Sequence, residues 1–496
     1  MKDISLTIEL EKENLLRSKF PQEETFGHVS LTLIGRIGKD DSLFLNGLTP
    51  DVTIDEDIIE EVYQTPDRKR WNTIDIDFSK VNSDDFNRLG GSLKLIEGLT
   101  GITFPCGYDF KSAYISRFLD DHTVYIDKTV ESIVLSEGTK KIIGNSFQNW
   151  VVLKKASFPK SLEKISASAF VGCCSLESFG IPKDSEHFFV CDDVVFSPDK
   201  AVLIAYPPGK KDEKYEIPNG TTMIAESAFK HNPFIKEITI PKTVVCIQDF
   251  AFESCASLEK FHLVRPNPVF ILDNDEEILL KRKFIYMHEG PFPSEKRVSE
   301  IVCLAANAKR EALHINDDFA VGPHAFTGCK NLKRIKIDKS SFDYDTLAIF
   351  DFCKCLEEIT LCHFDILPPM EDSRGLKILN IEGIFYNRFE NCIRGEALKE
   401  VNITNNPDYY SKDGVVFTKD HDLYYYPKAR EETTYNAPEE TTDIYGFRCF
   451  YSKYLKEVRL PSSFDMKKVI DNWEIADEYI EGPNCFIYNH IRFVKS

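Results

Sequence analysis

Between residues 221 and 263 the chain states one pattern of apolar positions twice while changing nearly every polar one. IAESAF is answered by IQDFAF, and IKEITIP by LEKFHL. Phe147 and Phe170 lie 23 positions apart, as do Phe229 and Phe252, and Phe326 and Phe350 lie 24 apart. Around each Phe runs I-x-x-x-A-F-x-x-C-x-x-L-x-x-I-x-I-P, with exchanges among apolar types. Five positions before Phe stand Ile142, Ile165, Ile224, Ile247 and Val321, and six after it Leu153, Leu176, Ile235, Leu258, Leu332 and Leu356. Both series are expected to point inward. The closing pairs Phe179/Ile181, Ile238/Ile240, Phe261/Leu263, Ile335/Ile337 and Ile359/Leu361 alternate with polar residues, the period of a half-buried strand. One short strand per coil is expected. A single coil of this length cannot bury its own apolar side, so coils must stack with their strands side by side in a parallel sheet. Apolar slots then repeat because every coil meets a like neighbour. Polar slots vary because they face water or a partner.

Weaker copies of the strand portion occur at Trp71/Ile74/Ile76, Leu99/Ile102/Phe104 and Val130/Ile133/Leu135, and again at Leu376/Leu379/Ile381, Leu398/Val401/Ile403 and Leu455/Val458/Leu460. Roughly a dozen coils make a sheet on the order of 60 Å long. Two interruptions resemble each other: residues 188–218 and 409–438 both carry VVF and a YP pair flanking an Asp turn, Asp199 or Asp420. They read as β-hairpins projecting from the stack. Residues 264–312 form a third interruption, charged and irregular. The predicted organisation is residues 1–70 as an N-terminal cap or small module, 71–461 as the solenoid, and 462–496 as a C-terminal cap. That cap is expected to hold a helix within 462–480 carrying Val469, Trp473 and Ile475, with Ser or Asp as its N-cap.

Composition narrows the function classes. Hydrophobic residues at 42% with 28% charged describe an ordinary folded chain rather than a disordered one. With 80 acidic against 61 basic residues the formal charge is -19, which repels a nucleic-acid backbone. No apolar run is long enough to span a bilayer, and the acidic start MKDISLTIELEKENLL lacks the apolar core of a signal peptide. The 14 cysteines show no CxxC pairs. Cys173, Cys255, Cys329, Cys353 and Cys392 all fall three positions after a Phe, where a small buried side chain is expected and where Trp150 and Asn232 also occur. Such free thiols suit a reducing environment.

The AF anchor, the C-x-x-L-x-x-I-x-I-P continuation and the VVF…YP hairpins resemble the BspA-type leucine-rich repeat proteins of bacteria and some parasitic protozoa. The resemblance covers residues 130–263, 313–361 and 365–461. It implies an α/β repeat solenoid, with leucine-rich-repeat coils of about 23 residues stacking a parallel β-sheet, β-hairpin insertions and terminal caps. It also implies a right-curving scaffold, often at the cell surface, that binds other proteins or matrix components. A secreted or surface location follows from the resemblance, and a cytoplasmic one from the absent signal.

Candidate chemistry is sparse. CKCLEEITLCH gathers Cys353, Cys355, Cys362 and His363, but Cys353 already fills the buried slot, so the four are expected to diverge rather than hold zinc. GxSxG, HExxH, GxGxxG and Walker motifs are missing, and PPGKK reads as a hairpin turn. No enzyme, cofactor or metal is expected. Aligning the coils brings Lys260, His262, Arg334 and Lys336 together on the open sheet face, a basic spot suited to an acidic protein or a glycan sulfate. Phe196, Tyr206, Tyr424, Tyr425 and Tyr426 on the hairpins are a second candidate surface, or packing. The expected function is a monomeric, non-enzymatic scaffold for a protein or glycan partner, with no nucleic acid and no membrane insertion. A cytoplasmic assembly platform and a repeat-framed hydrolase are the alternatives.

Overall fold

The computed structural model describes residues 2–11, 16–21, 26–36, 45, 71–81, 99–105, 129–144, 146–287, 294–316, 319–322, 324–338, 349–350, 352–364, 366–368, 370, 373–385, 396–445, 452–472, 479–482, 484–488 and 490–495. Cys392, Trp473 and Ile475 lie outside them. Two compact units divide the chain: residues 1–257 with 264–268, and 258–263 with 269–496.

In the first unit the strands Lys2–Leu10, Phe26–Gly35, Trp71–Val81, Leu99–Thr103, Ser132–Val134, Lys155–Ser157 and Phe179–Gly180 form one parallel sheet in that order. Their register stacks Leu6, Leu31, Ile76, Ile102, Ile133, Ala156 and Phe179 in one inward row. Two strands therefore come from residues 1–70, where alternation is present but the AF anchor is missing.

Coils of the first unit carry a second, two-residue strand at the Ile slot, where one strand per coil was expected. Lys141–Ile142 pairs with Lys164–Ile165, and Met223–Ile224 with Cys246–Ile247. Between the two strands the Phe rings stack coil on coil, Phe147 on Phe170 at 5.3 Å and Phe229 on Phe252 at 5.4 Å between centroids. The Phe backbone is tied across as well, with Phe147 N–H donating to the Ala169 carbonyl and Phe229 N–H to that of Ala251.

The α part of the expected α/β fold is corrected. Among the described residues the helical elements are Leu16–Lys19, Met466–Asn472 and the 3-10 turn Ala167–Phe170, beside the single helical residues Leu45, Thr129 and Tyr479, and the coils build a mostly-strand parallel solenoid. The reason is local. Two positions after Phe the backbone turns left-handed at Asn149, Gly172, His231, Ser254, Gly328 and Phe352, and two before Phe at Ser227, Phe250 and His324. A left-handed residue ends a right-handed helix, so each coil turns its corner without one.

The interruptions share one topology. Phe189–Cys191, Val194–Phe196 and Val202–Ala205 run antiparallel, and Val202–Ala205 then pairs in parallel with Met223–Ile224. Tyr409–Lys412, Val415–Thr418 and Leu423–Tyr425 repeat this, with Leu423 bridging Ile444 in parallel. Only the first half of each segment is thus a projecting hairpin. The second half is a coil in which Tyr206 takes the Phe slot, stacked on Phe229 at 5.0 Å with its N–H on the Ala228 carbonyl.

Residues 264–312, expected to be irregular, hold a third copy. Phe270–Leu272, Ile278–Met287 and Ser294–Leu304 run antiparallel, Ser294–Leu304 pairs in parallel with Phe319–Val321, and Leu304 N–H reaches the Ala325 carbonyl as Tyr206 reaches that of Ala228.

Near the C-terminal end Glu457–Leu460 pairs in parallel with Ile491–Lys495, which continues antiparallel into Cys485–Tyr488 and Ile480–Gly482. Asp465 Oδ1 accepts the Lys468 N–H at the start of the helix Met466–Asn472, and Met466 and Val469 are buried with Phe486 and Phe493.

Candidate partner-binding surface

Five strands of the second unit, Ala312–Ile315, Arg334–Ile337, Glu358–Cys362, Ile378–Glu382 and Glu400–Thr404, form a parallel sheet in unbroken register. Its inward rows are Leu313/Ile335/Ile359/Leu379/Val401 and Ile315/Ile337/Leu361/Ile381/Ile403, all buried except the half-buried Leu313. Between them on the open face runs His314/Lys336/Thr360/Asn380/Asn402. The amides of that row are chained: Asn402 Nδ2 donates to Asn380 Oδ1 (2.9 Å), and Asn380 Nδ2 donates to Thr360 Oγ1 (3.1 Å) and Glu358 Oε1 (3.0 Å).

At the other end His314 Nε2 lies 2.7 Å from Asp338 Oδ2, and Lys336 Nζ lies 3.0 Å from Asp338 Oδ1. Burial alone would raise the Asp338 carboxyl, but the contacts to Lys336 and His314 outweigh it and hold it below the usual aspartate range. The hydrogen bond to Asp338 raises the Lys336 ammonium.

The four basic residues are not brought into one cluster. The strand beside Arg334–Ile337 is Ala312–Ile315, so His314 rather than His262 neighbours Lys336. Lys260 and His262 lie on Lys260–Leu263, in a different sheet. The Phe261 N–H there donates to the Glu276 carbonyl, and His262 Nδ1 lies 3.4 Å from Glu276 Oε2. Aligning 258–263 directly onto 332–337 skipped the strand that ends the third interruption.

One polar slot does repeat, which the sequence reading passed over. Just before the strand, Lys154 pairs with Glu131, Lys236 with Glu213, Lys333 with Glu311 and Lys377 with Glu357, at 2.6 to 2.9 Å. Along Glu311, Lys333, Glu357 and Lys377 the two residue types alternate from coil to coil. Solvent screens these exposed pairs, so they favour register more than stability.

Each hairpin turn is pinned by one cation. Lys210 Nζ sits between Asp192 (3.4 Å) and Asp212 (3.1 Å), while Arg430 donates to the Asp413 carbonyl and to Glu432 (2.7 Å). Arg310 does this in the copy within residues 264–312, paired with Asp273 (2.7 Å), Asp275 (2.6 Å) and Glu277 (3.3 Å). Grooves of about 520 Å³ beside Arg310 and about 780 Å³ beside Arg430 open between turn and strand. The basic residue after PPG or PKA was the sequence signal for this anchor. Phe196, Tyr206, Tyr424, Tyr425 and Tyr426 are all buried, so the hairpin aromatics pack inward.

The cysteine slot is buried at Cys173, Cys255, Cys329 and Cys353. Its thiols reach back one coil: Cys173 Sγ donates to the Phe147 carbonyl (3.0 Å), Cys255 to that of Phe229 (3.1 Å) and Cys353 to that of Phe326 (2.8 Å). Burial pushes the Cys173 thiol far up. Cys353 therefore points inward while Cys355 is exposed, and no group of three His, Cys, Asp or Glu among the described residues is arranged to hold a metal ion. No helix among the described residues is long and apolar enough to cross a membrane.

The chain is similar in structure to a leucine-rich repeat protein from Eubacterium ventriosum (15% identity, 76% of this chain and 81% of that one, TM-score 0.34). It is similar to the pneumococcal vaccine antigen PcpA (16% identity, 96% and 82%, TM-score 0.33). It is also similar to a leucine rich cell surface protein from Faecalibacterium prausnitzii (15% identity, 76% and 82%, TM-score 0.31). No curated protein matches it. The model of the BspA type leucine rich repeat region matches in six copies, over residues 121–196, 209–287 and 306–368. With the AF anchor, the stacked Phe slot and the parallel strands all in place, these three stretches carry BspA-type leucine-rich repeats.

Proposed function

We propose that the protein is a non-enzymatic scaffold holding a protein or glycan partner against its open sheet face. The observation that carries this is the register of the five strands from Ala312 to Thr404, which fixes outward polar rows on a frame whose inward rows are apolar. Such a face is rigid and pre-formed, which lowers the ordering cost of binding. Arg334 and Lys336 are its basic contacts beside His314, and Glu358 and Glu382 its acidic ones. Lys260 and His262 form a separate contact next to Glu276. A surface location rests on the family alone, and protease added to intact cells tests it: cleavage of the chain supports it, and protection until lysis rejects it.

A photo-crosslinking amino acid at Thr360 or Asn402 tests the face itself. The expected result is one defined adduct with a single partner, lost when Arg334, Lys336, Lys260 and His262 are changed to Ala. Equal labelling from an exposed position off this face, such as Lys164, rejects the reading.

A further inference from the structure

The three hairpin modules differ at one turn. In the first, Pro198, Asp199 and Lys200 lie in the short connection between Val194–Phe196 and Val202–Ala205, and in the last, Lys419, Asp420 and His421 occupy the same place. In the middle module the corresponding strands lengthen to Ile278–Met287 and Ser294–Leu304, paired from Ile278↔Leu304 out to Met287↔Ser294 with one register shift, between Leu279 and Leu280. Phe270–Leu272 supports this ribbon as far as Lys281, with Arg282 N–H on the Val269 carbonyl, and Phe319–Val321 supports it back to Ser299. Beyond that, the pairs Lys283↔Val298, Phe284↔Arg297, Ile285↔Lys296, Tyr286↔Glu295 and Met287↔Ser294 have no third strand among the described residues. A two-stranded ribbon is marginal in water by itself, and its two edges carry rows of backbone donors and acceptors open to another strand. Over these strands the sequence places Lys281, Arg282, Lys283, Lys296 and Arg297 against only Glu295 and Glu300, on a chain of net charge -19.

We propose that this ribbon is a docking arm for an extended, acidic polypeptide segment, which adds to a ribbon edge as a further strand. Backbone hydrogen bonding selects a polypeptide over lipid or nucleic acid, and the cations select Asp and Glu. This site is separate from the open face and stands or falls without it.

The test uses the full chain and a fluorescein-labelled peptide of alternating Glu and Val, read by fluorescence anisotropy. In one variant residues 283–298 are replaced by Pro-Asp-Lys, the turn of the first module. A second keeps the arm and carries Lys283→Glu, Lys296→Glu and Arg297→Glu. Both variants are expected to bind about tenfold more weakly or worse, and a backbone N-methylated copy of the peptide is expected to lose binding to the unaltered chain. Three outcomes overturn the proposal: no binding by the unaltered chain, undiminished binding by the charge-reversed chain, or arm-dependent binding of phosphatidylserine vesicles or a single-stranded oligonucleotide instead of the peptide.

Discussion

Leu379 and Asn380 are neighbours on one strand, and the rows to which they belong obey different rules. The row of Leu379 is Ile335, Ile359 and Val401 on either side, apolar in every coil and buried. The row of Asn380 runs from His314 through Lys336 and Thr360 to Asn402, four residue types over five strands. One chain direction, one hydrogen-bond ladder and one twist serve both. The difference teaches that stacking constrains only what lies between coils, so the same fold leaves its outward rows open to be shaped by a partner.

The strongest way to break this contrast is Leu379→Ala. Loss of a fully buried side chain between two like neighbours is expected to cost about 2–5 kcal/mol, read as a lower midpoint in chemical denaturation. Cys353→Ala comes next. It removes one of two donors to the Phe326 carbonyl, which keeps the Cys329 N–H, and is expected to cost about 0.5–1.5 kcal/mol. Alkylation sharpens the same point, since exposed Cys191, Cys246 and Cys355 are expected to react in the folded protein while Cys173 and Cys329 wait for unfolding.

Thr221→Val has the opposite sign. Thr221 is buried with no partner for its hydroxyl, and Val244 fills the same slot one coil on, so the change is expected to stabilise by about 1 kcal/mol in thermal unfolding. A smaller effect attaches to Asp338. Its folded pKa is lowered, so its contribution is complete above the unfolded value near about 4 and disappears as pH falls through the lowered one. Asp338→Asn is expected to flatten the acid limb of the stability curve in that window alone. Smallest of all, Asn380→Ala is expected to change stability by no more than about 0.5 kcal/mol.

The coil was legible in the sequence because its inward slots repeat: Ile224, Phe229, Ile235, Ile238 and Ile240 are all buried as their spacing implies. Two things were not legible. Residues 264–312 hid a third module because Leu304 stands in the Tyr206 slot and the long ribbon separates the hairpin from its coil, which displaced Lys260 and His262 from Arg334 and Lys336. The strands Lys2–Leu10 and Phe26–Gly35 were missed because alternation alone, without the AF anchor, fixes no coil boundary. The left-handed positions after Phe were visible as Asn, Gly, His and Ser, yet Phe352 in the same place shows that the stack, rather than residue preference, sets that backbone.

The most direct measurement takes Arg334→Glu with Lys336→Glu, in a chain carrying the photo-crosslinker at Thr360, and reads thermal midpoint and adduct on the same sample. The account predicts an unchanged midpoint, to within about 2 °C, and loss of the adduct. A lowered midpoint, or an adduct that persists, would contradict the division between rows that hold the fold and rows that meet a partner.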